Sequence, residues 1–184
     1  MKAIIITGTP ATGKSRIAGI ISKRIRDSEL IRANDIVNEK RLFSSVERDG
    51  TKVVKMRALK NEIEKRMKES KRKLVIVEGH LLCDMRISGA TAIVMREHLG
   101  KLIGRMRKRG YSSGKIRDNI VSEATDYCGA NASANYKKSF EVMNDSRAIA
   151  RIMNIVKGRY PKARSIDLLG ELNDVAMRNR KYAF

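Results

Sequence analysis

Residues 8–15 read Gly8-Thr9-Pro10-Ala11-Thr12-Gly13-Lys14-Ser15 and fit the pattern G-x-x-x-x-G-K-[ST] in full. The flanks are those the pattern requires. Lys2-Ala3-Ile4-Ile5-Ile6-Thr7 is a short β-branched run that predicts a buried parallel strand before the loop. Ile17, Ile20, Ile21 and Ile25 recur at helical spacing and predict a helix through Arg26. Glycines let the backbone wrap a phosphate with several N–H groups inward, and the helix dipole adds favourable potential. Lys14 would bridge the β- and γ-phosphates, and the Ser15 hydroxyl would ligate Mg²⁺. On this reading Gly8, Ala11, Thr12, Gly13, Lys14, Ser15 and Arg16 lie along a bound nucleotide. A phosphate-binding loop without catalysis is the bland alternative.

Outward from the loop, strands and helices alternate. Residues 28–58 are polar and weakly periodic, with Asn34-Asp35 as a helix start and Asp49-Gly50 as a turn. Ala58 to Glu69 predicts a helix with Leu59, Ile63 and Met67 on one face. Leu74-Val75-Ile76-Val77-Glu78-Gly79 repeats the opening strand pattern, and Ala90 to Met95 is a third such strand. A helix from about Glu97 carries Leu99, Leu102, Ile103 and Met106 inward and stops at Arg109-Gly110. Residues 113–138 read as one long helix, Phe140 to Met143 as the last strand, and Ile149, Ile152, Ile155 and Val156 mark another helix. Asp167 caps a closing helix through Ala176, before a basic tail at 178–181. The pattern predicts an α/β fold with a mostly parallel sheet, and one domain over residues 1–184, without repeat or linker.

Composition bounds the function. An apolar fraction of 42% supports a core and excludes general disorder. No apolar run reaches the ~18 residues of a membrane span, and the apolar start is too short for a signal peptide. Two cysteines, Cys83 and Cys128, make neither a disulfide framework nor a zinc site. The expectation is an intracellular, cytoplasmic protein with no membrane partner. Forty Lys and Arg against twenty Asp and Glu give a formal charge of +20. That surplus suits a polyanion partner or a generally basic host, and by itself does not choose. The densest run, at 65–73, ends a helix and fits a solvated face.

Four side chains outside the loop are candidates for chemistry. Glu78 closes the second apolar strand, where an acidic residue can sit near Mg²⁺ or its waters. His80 follows at the carboxyl end of that strand, where open α/β sheets build their sites. Arg105-Met106-Arg107-Lys108-Arg109-Gly110-Tyr111 ends a helix that returns toward the site. A charge run of this kind is usually a solvated face. Phosphoryl transfer needs guanidinium groups that follow the moving charge, which singles out Arg109, with Arg105 one turn earlier. His98 lies in a helix and reads as surface or packing.

Four pieces, in order, carry a resemblance: G-T-P-x-x-G-K-S at 8–15, Glu78-Gly79-His80, R-x-x-x-R-G-Y at 105–111, and Asp118-Asn119-Ile120 with Glu123 and later Tyr136. Together they resemble the isoenzyme 6 group of adenylate kinases, also described as ribosome-assembly nucleotide kinases. The resemblance implies a three-layer P-loop NTPase fold with an NMP-binding segment near 32–56 and a short lid near 108–118. It implies ATP-dependent phosphoryl transfer to AMP or a related nucleotide, with Mg²⁺, and weak ATPase activity. It further implies a role in small-subunit ribosome maturation, with a platform ribosomal protein and rRNA as partners. Glu78 and His80 fall on the pair tied to hydrolysis, and Arg109 on the lid arginine. The alternatives are a ribosome-assembly ATPase or chaperone with residual kinase activity, and another small P-loop kinase with a different acceptor.

The chain departs from the family's pattern in four places. Ala11 replaces a glycine, a modest change if its φ is negative. Glu78 stands where Asp is common. Asn38 stands where relatives carry an arginine, with Arg41 one turn away. The family's C-terminal ATP-contacting lysine is matched loosely by Ser146 or Arg147.

Overall fold

A computed structural model describes residues 2–47, 50–162 and 165–178. Five strands form one sheet in the order β2-β5-β1-β6-β7 and every neighbouring pair is parallel. They are β1 (Lys2–Thr7), β2 (Ser28–Arg32), β5 (Leu74–Glu78), β6 (Ala90–Arg96) and β7 (Ser139–Met143). Buried on both faces, β1, β5 and β6 are nearly continuous apolar runs. Register places Ile6 opposite Glu78, Arg32 opposite Glu78, Thr7 opposite Val94 and Arg96 opposite Met143. The loop, Glu78 and the residues after Arg96 therefore share one edge of the sheet, the carboxyl edge where parallel sheets bind ligands.

Helices cover both faces. On one side α1 (Lys14–Arg24) and α7 (Ala148–Val156) bury Ile17, Ile21, Ile152 and Ile155 against Ile4, Ile6, Ile76 and Ile93. On the other, α2 (Ala33–Glu39), α3 (Met56–Glu69) and α6 (Tyr127–Asn135) pack Ile36, Leu59, Ile63 and Ala132 against Ile5, Val75 and Val77. A third cluster joins α4 (Leu99–Lys108), α5 (Ser113–Ala124) and α8 (Leu169–Arg178), with Leu102, Met106, Ile116, Ile120 and Val175 inside. The expected α/β architecture with a parallel sheet is the observed one.

Three elements differ from the sequence expectation. The stretch read as polar and irregular contains β2, an edge strand in which only Ile31 is buried. It also contains an antiparallel hairpin, β3 (Phe43–Val46) and β4 (Lys52–Val54). The expected turn falls between them: Asp49 lies outside the described residues, and Gly50 takes φ 80. Third, the single helix expected over 113–138 is two helices. Asp126 adopts φ 56 between them, and its carboxylate turns inward to meet Arg96. The basic tail beyond Arg178 lies outside the described residues.

Candidate active site

The phosphate-loop pattern is folded into a tight backbone cradle. Gly8 and Gly13 take φ 131 and 95, and a Cβ on Gly8 would sit 2.4 Å from the Met95 carbonyl oxygen. Ala11 takes φ 68, the left-handed region, so the substitution is not the modest change a negative φ would make it. An L-residue there costs about 1–2 kcal/mol, which the surrounding packing must offset. Ala11 is buried against the α4–α5 cluster, which supplies that packing.

Lys14 begins α1 and is buried, with Nζ donating to the Thr9 carbonyl at 2.8 Å. Burial lowers its pKa, and the Glu78 charge partly opposes the shift. Ser15 Oγ donates to Glu78 Oε1 at 3.0 Å, joining the start of α1 to the end of β5. His80 lies just past the strand end. Burial, and then the charges of Lys14 and Lys115, push its pKa down to about 4. Its imidazole is therefore neutral at neutral pH.

These groups line one cavity of about 660 Å³. The loop contributes Pro10, Ala11, Gly13, Lys14, Ser15 and Arg16. The facing wall is built by α2 and the hairpin and carries Asn34, Val37, Asn38, Lys52, Val54 and Met56. The roof comes from the α4–α5 connection, with Arg109, Tyr111 and Lys115. Lys115 Nζ donates to Thr51 Oγ1 at 2.6 Å, so roof and facing wall touch across the opening. Among the lining residues Lys14, Arg16, Lys52, Arg109 and Lys115 are cationic and Glu78 alone is anionic. Such a cavity is built for polyanionic ligands.

The sequence-derived candidates are only partly brought together. Lys14, Ser15, Arg16, Glu78, His80 and Arg109 share the cavity, and Arg109 is exposed at its rim. Gly8 and Thr12 shape the loop from behind without lining the cavity. Arg105 reaches the loop's backbone, donating to the Ala11 carbonyl at 3.1 Å. Asn38 lines the cavity and is bonded by Lys52, whereas Arg41 does not line it. Arg147 is exposed at the start of α7 and outside the cavity lining.

Residues 4–126 match a protein family described as an AAA domain. Among curated proteins, the chain is 32% identical over 153 residues to a Methanosarcina acetivorans protein, covering 77% of each. It is 36% identical over 133 residues to one from Methanothermobacter thermautotrophicus, covering 70% of this chain and 71% of that one. Both bear the name "Putative adenylate kinase". The chain belongs to the adenylate-kinase-like family of P-loop phosphotransferases. Solved structures agree on the fold. Shikimate kinase from Bacteroides thetaiotaomicron has a TM-score of 0.58 at 15% identity, covering 85% of this chain and 98% of that one. The Aquifex aeolicus shikimate kinase has a TM-score of 0.57 at 17% identity, covering 85% and 96%.

The donor set suits the Mg²⁺ that P-loop phosphotransferases use. Ser15 Oγ and the Glu78 carboxylate are hard oxygen donors, adjacent at 3.0 Å on the cavity wall. Mg²⁺ takes few protein oxygens and completes its shell with water and substrate phosphate, so two such donors fit it.

Several residues at the site were not singled out by the sequence. Lys52 and Lys115 are ordinary surface types until the hairpin and α5 face one another, whereas Tyr111 was part of the R-x-x-x-R-G-Y motif. Glu97 and Asn144 are both buried beside the loop; Asn144 donates to Glu97 and to the loop's Thr12 carbonyl. An acidic residue directly after a buried strand, as with Glu78, was the one available hint for Glu97.

Proposed function

We propose that the protein is an ATP-dependent nucleoside monophosphate kinase that converts ATP and AMP to two ADP. One observation carries this reading: a single cavity has the phosphate loop on one wall and a second, partly apolar wall opposite. Val37, Val54 and Met56 offer that second wall a surface for a planar base, and Asn34 and Asn38 offer polar edges to orient it. Five cationic side chains against one carboxylate match two phosphorylated ligands held together.

In this mechanism Gly8, Ala11, Thr12 and Gly13 shape the loop around the triphosphate, and Lys14 spans its β- and γ-phosphates. Ser15 and Glu78 would hold Mg²⁺, which when bound neutralises charge on the phosphate oxygens. Arg16 and Arg147 would flank the nucleotide, and Arg105 would act on it through the loop. Residues 108–118 form the lid, whose closure excludes water and brings Arg109 onto the transferring phosphoryl group. Catalysis is positioning plus charge stabilisation. His80, neutral at neutral pH, can accept a hydrogen bond from a water where hydrolysis replaces transfer. The whole chain acts as one domain, in the cytoplasm. Among the described residues no helix is long and apolar enough to cross a membrane.

The test is coupled detection of ADP from ATP with and without AMP, alongside a panel of other acceptors. AMP-dependent ADP well above the ATP-only rate is expected, and its absence would refute the AMP kinase. Lys14→Ala should abolish the activity with the circular dichroism spectrum unchanged.

A second reading is an ATPase that works in small-subunit ribosome maturation, with a ribosomal protein and rRNA as partners. Among the described residues of segment 32–56, Lys52 is the one cation lining the acceptor wall, which leaves an acceptor phosphate weakly held. The +20 charge suits work beside RNA. Hydrolysis indifferent to AMP but altered by rRNA or a ribosomal protein would favour this reading.

A further inference from the structure

One buried carboxylate beside the loop has no part in the mechanism above. Glu97 follows β6 and is 0% exposed. Its Oε1 accepts the His98 N–H at 3.1 Å and lies 4.0 Å from Lys101 Nζ. Its Oε2 forms an ion pair with Arg105 NH1 at 2.7 Å and accepts from Asn144 Nδ2 at 3.0 Å. Each of these two donors makes a second bond, and both second bonds end on the loop. Arg105 NH1 reaches the Ala11 carbonyl at 3.1 Å, and Asn144 Nδ2 reaches the Thr12 carbonyl at 2.9 Å. One carboxylate oxygen thus gathers two donors that hold consecutive carbonyls of the phosphate loop.

The positions held are those where the loop has least freedom of its own. Ala11 is the non-glycine residue of the loop in the left-handed conformation, and its carbonyl is one of the two held. Across a trans peptide, fixing the Thr12 carbonyl also fixes the Gly13 N–H, which points the opposite way. Gly13 lies so close to the brace that a Cβ on it would come 2.5 Å from Asn144 Nδ2. Asn144 Oδ1 also accepts from Arg16 NH2 at 3.3 Å, so the brace extends to the cavity-lining Arg16.

We propose that Glu97 is a positioning residue for the triphosphate: acting through Asn144 and Arg105, it sets the Ala11 and Thr12 peptides so that the loop is formed before nucleotide arrives. Preorganisation of this kind is expressed as affinity for the ligand that the loop holds. The acceptor wall has no bond to Glu97, so acceptor binding is independent of it. The proposal rests on nucleotide binding at the loop, as proposed above, and not on the acceptor being AMP.

The test is ATP·Mg²⁺ titration by calorimetry together with steady-state kinetics, on wild type, Glu97→Gln, Glu97→Ala, Asn144→Ala and the Glu97→Ala/Asn144→Ala double variant. Glu97→Ala should weaken ATP binding roughly tenfold, about the loss of one charge-assisted bond, with the acceptor KM within about twofold of wild type. Glu97→Gln keeps one accepting oxygen and should recover most of the affinity. The double variant should bind no worse than the weaker single variant, because Asn144 acts on the Thr12 carbonyl as one arm of the brace that Glu97 anchors. Where Glu97→Ala does not fold, Asn144→Ala carries the test, with ATP affinity lowered about fivefold or more. ATP affinities within twofold of wild type in folded variants, or equal losses for ATP and acceptor, would overturn the proposal. Wild type that binds no ATP would overturn the kinase reading as well. Wild type that binds ATP without AMP-dependent turnover overturns only the acceptor, and the brace is then tested by affinity alone.

Discussion

Replacing Arg96 by methionine should be among the most destabilising single changes in this protein while leaving the chemistry intact. Arg96 ends β6 and is 1% exposed. Its Nε donates to Glu123 Oε1 at 3.1 Å, its NH1 to Glu141 Oε2 at 2.6 Å and to Asp126, and its NH2 to the Glu123 carbonyl at 2.7 Å. Burial alone would lower the guanidinium's pKa; Glu123, Asp126 and Glu141 outweigh it and raise it. Methionine fills similar volume but leaves three carboxylates without their cation, and Glu123 is itself 1% exposed. Breaking a buried pair in this way costs about 3–5 kcal/mol. At about 2.1 cal/mol/K of unfolding entropy per residue, a chain of 184 residues loses roughly 10 °C of Tm for about 4 kcal/mol. Differential scanning calorimetry measures this directly. Arg96→Lys keeps the charge without the planar fork and should fall between. Burial already raises the pKa of Glu141 and Arg96 opposes that shift, so in the methionine variant Glu141 holds its proton to still higher pH when folded than when unfolded, and stability is lost as pH rises. The gap to wild type should therefore widen as pH rises above the usual carboxylate range. A Tm drop under about 3 °C, or a gap that narrows as pH rises, would refute the reasoning.

Ala11→Gly removes left-handed strain of about 1–2 kcal/mol. It also removes a buried methyl worth about 0.8 kcal/mol and adds unfolded-state entropy of about 0.4–1 kcal/mol. The net change should lie within about 1 kcal/mol of zero, and a Tm change beyond about 5 °C would show that one of these terms is misjudged. For His80, nuclear magnetic resonance should give a titration midpoint near 4, with the second histidine assigned through His98→Gln. The unfolded chain takes up that proton near 6.5 and the folded protein near 4, so stability falls as pH drops across this window, by at most about 3 kcal/mol. Bound ATP should raise the midpoint by adding negative charge; a ligand-free midpoint near 6.5 would contradict the buried placement.

What could be read from the sequence was whatever local pattern dictates. The strand–loop–helix around Lys14, the apolar runs of β5 and β6, and the glycine stop after Arg109 are each encoded within ten residues or so. β2 was not legible because an edge strand buries one side only, and Ser28-Glu29-Leu30-Ile31-Arg32 leaves Ile31 as its one buried residue. The break in the expected long helix was missed because it rests on Asp126 meeting an arginine thirty residues away. No local composition announces that pair. The same holds for Glu97 and Asn144, forty-seven positions apart, which meet only because β6 and β7 are neighbours. Glu78 and His80 were found because the chemistry of strand ends is itself a local rule.

Gly79 has Ala33 pressed so close that a Cβ on it would come 2.7 Å from the alanine methyl. Bare backbone at the end of β5 thus meets the first residue of α2, the base of the wall that faces the phosphate loop. A side chain at position 79 would force Ala33, and with it the start of the wall, away from β5. The spacing between the acceptor wall and the Ser15–Glu78 pair is thus set in part by a residue that has no side chain.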